Sequence, residues 1–391
     1  MKNADLKKIL EEHHTPFYIF EIDKLKKRSD YLRSRLPAGV SLCYAVKANP
    51  FVADRLCPYI DKLEACSPGE MQLCLEKGIN IEKIVVSGVY KTAEFIEKIV
   101  KDYNGVNCFT VESVAQYQLL SALAEKYGVK VRLLLRLTSG NQFGLDEKSI
   151  KNILLEYDST KVEIIGIQYF SGTQKISLKK AQRELDYADD FLCRLQNECG
   201  FQAAEFEYGP GFAVSYFDTD NFDEDEYLTA FSNMLLSMKF KSKITLEIGR
   251  SLVADCGSYL TRVVDIKRND NQNYAIVDGG INHITYYGQS MAMKRPCYKL
   301  LRRFDKDVTE NWNICGSLCT INDILMKNVP MSEPDTGDVI VFEKAGAYCM
   351  TEGISLFLSR DLPEILLADA TGKVICAREA YETYKLNISN Q

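Results

Sequence analysis

Residues 41–50 read SLCYAVKANP, an apolar, β-prone run that carries Lys47 in register with its buried positions and is closed by Pro50. Desolvating an ammonium is costly, so a lysine there is rare unless it is paired or used chemically. The same run opens a rhythm. β-prone segments recur at 41–46, 62–66, 83–87, 106–110, 131–137, 163–169, 204–208 and 244–248. Stretches with helical spacing separate them, among them 68–78, 112–127 and 178–199. Eight strand–helix repeats in about 210 residues predict a parallel (β/α)8 TIM-type barrel rather than a doubly wound open sheet.

Past residue 255 the pattern changes to strands without long helices between them: YLTRVVDIK (259–267), NYAIVDGG (273–280), DVIVFEKAGAYCM (338–350) and EILLADATGKVICAR (364–378). These predict a C-terminal antiparallel β-sandwich or β-barrel, which the early segment TPFYIF (15–20) is expected to join. The expected domains are a barrel over 25–255 and a β domain made of 1–24 and 256–391. A chain of 391 residues is long enough for one large and one smaller domain.

A net charge of −6 and the lack of any aromatic-interleaved basic patch argue against nucleic acid as a partner. The runs KLKKR (24–28) and KRPCYKLLRR (294–303) are short. Thirteen cysteines, odd in number, scattered and without CxxC pairs, predict free thiols in a reducing compartment and no zinc site. The opening MKNADLKKILEEHH (1–14) is charged and helical in pattern, unlike a signal peptide, and no apolar run approaches the roughly 20 residues that cross a bilayer. A soluble, cytoplasmic protein with no membrane partner is expected.

In such barrels the chemistry sits at the C-terminal strand ends. Lys47 ends the first strand, Glu64 and Ser67 flank the second, Ser87 ends the third and Arg136 the fifth. Strand six runs into QYFSGTQK (168–175), strand seven into YGPGFA (208–213) and strand eight into EIGR (247–250). Alone, Lys47 would be a snorkelling side chain, Gly209-Pro210-Gly211 a tight turn, and Glu247 with Arg250 a surface ion pair. Together in one mouth they match pyridoxal phosphate. Lys47 can form an imine with the aldehyde, the glycine amides and Arg250 can hold the phosphate, and Glu247 can keep the pyridine nitrogen protonated.

The motifs YAVKANP, EACSPGEM (64–71), IQYFSGTQ (167–174), EIGRSLVADCG (247–257), RPCYKL (295–300), CGSLCTINDIL (315–325) and DTGDVIVFEKAGAY (335–348) carry a family resemblance. From about residue 15 to 365 the chain resembles the barrel-type (fold type III) pyridoxal-phosphate-dependent amino-acid decarboxylases, which include diaminopimelate, ornithine and arginine decarboxylases. The resemblance implies a Schiff-base lysine at Lys47 and phosphate-binding positions at Gly209, Gly211, Gly249 and Arg250, with Tyr348 also reaching the phosphate. It implies Glu247 as the pyridinium partner, and Glu64 and Arg136 join the cofactor-binding candidates. Cys319 is similar to the cysteine that comes from the neighbouring subunit and helps protonate the decarboxylated carbon, which implies a homodimer with shared sites.

Four departures bear on function. Where family members read HFHIGSQ, the ring-stacking second histidine is here Phe170, which can cover a pyridine face but cannot donate a hydrogen bond. The family's GGG is here Gly209-Pro210-Gly211, one amide donor fewer. Ile248 replaces the proline of EPGR. The acid that follows the cysteine is here Thr320, which removes the charge expected to meet a cationic substrate end, whereas Arg295 matches a position that can meet a distal carboxylate. Decarboxylation of an amino acid with a neutral or anionic far end, such as a conjugate from a secondary pathway, is the expected activity. Two alternatives stay open: an amino-acid racemase on the same cofactor, told apart by CO2 release, and a non-catalytic pyridoxal-phosphate-binding protein, against which stand the retained β domain and Cys319.

Overall fold

Eight parallel strands close on themselves, at Ser41–Ala45, Lys62–Ala65, Ile84–Val86, Cys108–Val111, Val131–Leu137, Val162–Phe170, Glu205–Gly209 and Lys243–Ile248. The first pairs with the last, Leu42 opposite Leu246, and this seals the barrel. The computed structural model describes residues 1–103, 105–302 and 309–389; Arg303, the end of the second basic run, lies outside them. Strands buried on both faces read as continuous apolar runs, which is why the rhythm is visible in the sequence.

The crossover helices begin where short polar side chains cap them. Ser67, Ser113, Asp146, Ser177 and Asp223 each accept a hydrogen bond from a backbone N–H three residues on. Two helices stop at Gly128 and Gly200, both at φ 63°, the left-handed conformation that glycine adopts without strain. Gly166 has another reason: a Cβ there would stand 1.7 Å from the Glu205 carbonyl oxygen on the next strand.

The chain divides into two compact units. One is the barrel, Lys26–Ala213 with Asp223–Leu252; the other holds Met1–Leu25, Val214–Phe222 and the chain from Val253 on. The expected boundary gave 214–222 to the barrel. That segment groups instead with the β unit, where the Cys297 amide donates to Tyr216 O at 3.0 Å, the Asp218 amide to Arg295 O at 3.1 Å, and Lys344 Nζ to Ser215 O at 2.7 Å.

The β unit is one nine-stranded sheet, mixed rather than wholly antiparallel. Phe17–Glu21 does join it, antiparallel to Gly257–Asn269 on one side and parallel to Glu364–Ala368 on the other. Gln272–Val277 and Thr309–Cys315 form a second parallel pair. Parallel neighbours need long connections, and both pairs join strands far apart in the chain. Leu6, Ile9, Phe17, Ile19, Leu260 and Leu366 belong to its buried core. No helix among the described residues is long and apolar enough to cross a membrane.

Candidate active site

Lys47 lies two residues beyond the first barrel strand, which ends at Ala45, in a single 3-10 turn over Val46–Ala48. Its neighbours on the C-terminal side hold that turn in place. Asn49 accepts from the Phe51 amide through Oδ1 at 3.0 Å, its carbonyl accepts from the Tyr44 hydroxyl at 2.9 Å, and Pro50 starts the next turn. The expectation that Lys47 ends the first strand is corrected only in that the strand stops at Ala45. The turn lifts Lys47 to the mouth, where its side chain is 41% exposed.

Two carboxylates meet it there. Lys47 Nζ stands 2.7 Å from Glu64 Oε2, on the second strand, and 3.6 Å from Glu247 Oε1, on the eighth. It also reaches Cys66 Sγ at 3.4 Å. Burial works to raise the Glu64 carboxyl, but the Lys47 ammonium and its hydrogen bond outweigh it and hold the group well below the usual range. Glu247 goes the other way: burial, then the Glu64 charge, push it up despite Lys47. Two acids thus share one cation, and Glu247 is the one that holds its proton more tightly than usual.

Next to this set, Arg136 Nη1 contacts Glu112 Oε1 at 2.9 Å and its guanidinium lies over Phe143, 4.9 Å from the ring centroid. Lys91, pushed down to about 8 by burial, donates to Gln116 Oε1 at 3.2 Å.

Across the mouth, two turns press together. Gly211 has φ 60°, and a Cβ there would meet Gly172 O at 2.2 Å and Thr173 Cα at 3.0 Å. A Cβ on Gly209 would strike the Phe170 ring at 2.3 Å. Arg250, buried and following Gly249, donates through Nε to Thr173 Oγ1 at 3.3 Å. This is a cradle of backbone, one hydroxyl and one guanidinium, the donor set that suits a phosphate. Pro210 contributes no N–H to it.

The family profile described as pyridoxal-dependent decarboxylase, pyridoxal binding domain, matches residues 22–254, more than half of the 391. The chain belongs to the pyridoxal-dependent decarboxylases. Diaminopimelate decarboxylase of Helicobacter pylori is 27% identical, covering 96% of this chain and 95% of its own. A decarboxylase of L-glutamyl-BtrI acyl-carrier protein from Niallia circulans is 26% identical, covering 96% and 94%. The crystal structure of the Helicobacter pylori diaminopimelate decarboxylase complexed with L-lysine superposes with a TM-score of 0.85 at 24% identity, covering 97% of this chain and 98% of that one, and shares the fold. The chain is an enzyme that decarboxylates an amino acid, and pyridoxal 5'-phosphate is its cofactor.

The decarboxylase's residues fit that cofactor on two counts. A pyridinium N–H beside Glu247 would favour the ionised carboxylate against the burial that raises it, and at Gly209 and Gly211 the cradle offers backbone where a phosphate needs to approach.

The remaining expected residues lie in the β unit. Cys319 is exposed and Thr320 half-buried, in a loop held by Asp323, whose carboxylate accepts from the Leu318 amide at 2.7 Å and the Ile281 amide at 2.8 Å. Tyr348 sits at φ 64°. Arg295 forms an ion pair with Asp218, so its charge is already balanced within the unit. Sequence reasoning did not single out Thr173, Gln168, Cys66, Lys62 or Glu207. A hydroxyl in the Ser171-Gly172-Thr173 turn, opposite Gly209-Pro210-Gly211, was a usable signal for the first; the others owe their place to barrel closure.

Proposed function

We propose that this decarboxylase acts through cofactor bound covalently to Lys47, on an amino acid whose distal end is neutral or anionic. The observation that carries the first half is Lys47 Nζ between two buried carboxylates, 2.7 Å from Glu64 and 3.6 Å from Glu247. Pyridoxal phosphate supplies an aldehyde that links to amines and a protonated ring that takes up the electron pair left as CO2 departs.

The chain's own residues do the rest. Glu64, ionised, holds the Lys47 amine at the mouth, within reach of the incoming α-amine. Glu247 would hold the proton of the ring nitrogen. Gly209, Gly211, Gly249, Thr173 and Arg250 would bind the phosphate, a role the family resemblance also implies for Tyr348, and Arg136 would stay on the Glu112 side of the pocket. Phe170 would cover one ring face by apolar contact alone, since a phenyl group has no proton to transfer. That task falls to Cys319, supplied by the partner subunit in the homodimer that the family resemblance implies.

The substrate half rests on the Cys319 loop. Thr320 offers no charge, and the loop's acid, Asp323, is buried and occupied by two backbone amides. Nothing in GSLCTIND (316–323) is left to balance a cationic substrate end. The Niallia circulans relative, named for a carrier-linked glutamyl substrate, supports a conjugate of this kind.

Borohydride reduction of the cofactor-loaded protein should fix the label at Lys47. A substrate panel then compares lysine, ornithine and diaminopimelate with glutamyl and amide-linked conjugates by CO2 release. Preference for the neutral or acidic members is expected; tight selection of lysine or ornithine would sink the substrate assignment.

A further inference from the structure

The barrel interior beneath the mouth is not the packing of branched aliphatics that usually fills such a barrel. Cys43, Val85, Cys108, Leu134 and Ile165 form a small apolar cluster. Beside it lie five buried polar side chains from four strands: Lys62, Gln168, Glu205, Glu207 and Thr245. Burying such groups is unfavourable unless each contact has a purpose or a full set of partners.

Their contacts run in one direction. Lys62 Nζ lies 2.5 Å from Glu205 Oε1, and the Thr245 hydroxyl donates to the same oxygen at 2.6 Å. Lys62 is also 3.9 Å from Glu207 Oε2, an oxygen with no hydrogen-bond partner. The other Glu207 oxygen, Oε1, accepts from Gln168 Nε2 at 3.2 Å. The same amide nitrogen donates its second hydrogen to Glu247 Oε2 at 3.1 Å. Gln168 therefore spans two carboxyl groups with one NH2, and this leaves Glu247 Oε1 turned to Lys47.

We propose that Gln168, seated by Glu207 above the Lys62–Glu205 pair, is the positioning residue that orients Glu247 toward Lys47 and the ring nitrogen of the bound cofactor. The arrangement works because a primary amide can donate twice and carries no charge of its own. It ties the two acids together without adding a second cation that would compete with the pyridinium for Glu247. Burial, against the pull of Lys62 and with the nearby carboxylates Glu247, Glu205 and Glu64, pushes Glu207 up to about 8, so at neutral pH its seat for Gln168 adds no further negative charge. Gln168 Oε1 is itself buried and has no hydrogen-bond partner among the described residues.

The inference rests on the reading of Lys47 and Glu247 given above, and one experiment separates the two. Holoenzyme of the wild type, Gln168→Met, Glu207→Leu and Glu207→Gln is compared by the visible absorbance of bound cofactor and by the cofactor dissociation constant, with circular dichroism reporting the fold. Gln168→Met and Glu207→Leu should each weaken cofactor binding about tenfold and shift the visible band, because one hydrogen bond to a charged group is lost or loosened. Glu207→Gln keeps the acceptor and should restore binding to within about twofold of wild type. A visible band and affinity unchanged in folded Gln168→Met overturn the proposal. So does a Glu207→Gln protein as impaired as Glu207→Leu. Absence of a lysine-linked band in the wild type would instead overturn the assignment of Lys47. Should Glu207→Leu fail to fold, Gln168→Met tests the same link with a neutral side chain of similar shape.

Discussion

The barrel holds two lysine–glutamate pairs with the same separation and opposite character. Lys47 lies 2.7 Å from Glu64, and Lys175 lies 2.7 Å from Glu184. Lys175 is closed in, its side chain 2% exposed. Its carboxylate partner also accepts from Ser171 at 2.6 Å and from the Tyr208 hydroxyl at 2.7 Å, and the ammonium sits 6.0 Å from the Phe170 ring centroid. Every strong donor and acceptor in that cluster is matched. At Lys47 the amine is half-exposed and a second carboxylate, Glu247, is left without a cation of its own. The difference shows how one chemical pair can be scaffold or reagent: saturation and burial make the first, a second acid and access the second.

Substitution at the two lysines should separate these roles most strongly. Lys47→Ala should abolish the visible absorbance and lower turnover by at least about a thousandfold, in protein whose circular dichroism shows it folded. Lys175→Met should do the reverse, destabilising the fold by about 3–5 kcal/mol in urea because Glu184 is left buried and unpaired. A Lys175→Met protein of full stability that has lost the cofactor band would break the comparison.

A smaller effect is expected at the cradle between them. Gly211→Ala forces a side chain into the left-handed region and against the Gly172 carbonyl, so cofactor affinity should fall, with about 1–2 kcal/mol of stability lost. Equal affinity, measured by absorbance titration, would remove the phosphate role from this turn.

The pH dependence of apoprotein stability should be the finest discriminator. For Glu184, burial raises the carboxyl but Lys175, Ser171 and Tyr208 together hold it below the ordinary value. Its contribution is present above the ordinary carboxylate range and is lost as pH falls through the lowered folded value. Glu247 is raised, so the folded state keeps its proton longer than the unfolded state, and stability declines as pH climbs from the ordinary carboxylate range to the raised value. At pH 8, Glu184→Gln should therefore lower the urea midpoint and Glu247→Gln should raise it. Shifts of the same sign would erase the distinction.

Much of the barrel is legible in the residues alone. Its eight strands stand out because parallel strands covered on both sides are apolar throughout, and five of their helices open on Ser or Asp caps. Lys47, Glu247, Arg250 and the Gly209–Gly211 turn are legible from residue type at strand ends. Thr173 is not, because a threonine in a turn looks like any solvent-facing hydroxyl until Arg250 is seen beside it. The mixed β sheet is hidden for a different reason: nothing near Phe17 in the chain indicates that Glu364 will lie next to it.

Composition, strand rhythm and local turn chemistry were enough to determine a barrel with a reactive amine at its mouth, since each depends on residues close together in the chain. Tertiary structure alone decided that Lys47 is half-exposed, that Arg295 is committed to Asp218, and that Gln168 joins Glu207 to Glu247. Those outcomes depend on groups from distant strands meeting at hydrogen-bond range, where closure of the barrel and the pairing of the sheet set distance and burial, and with them charge.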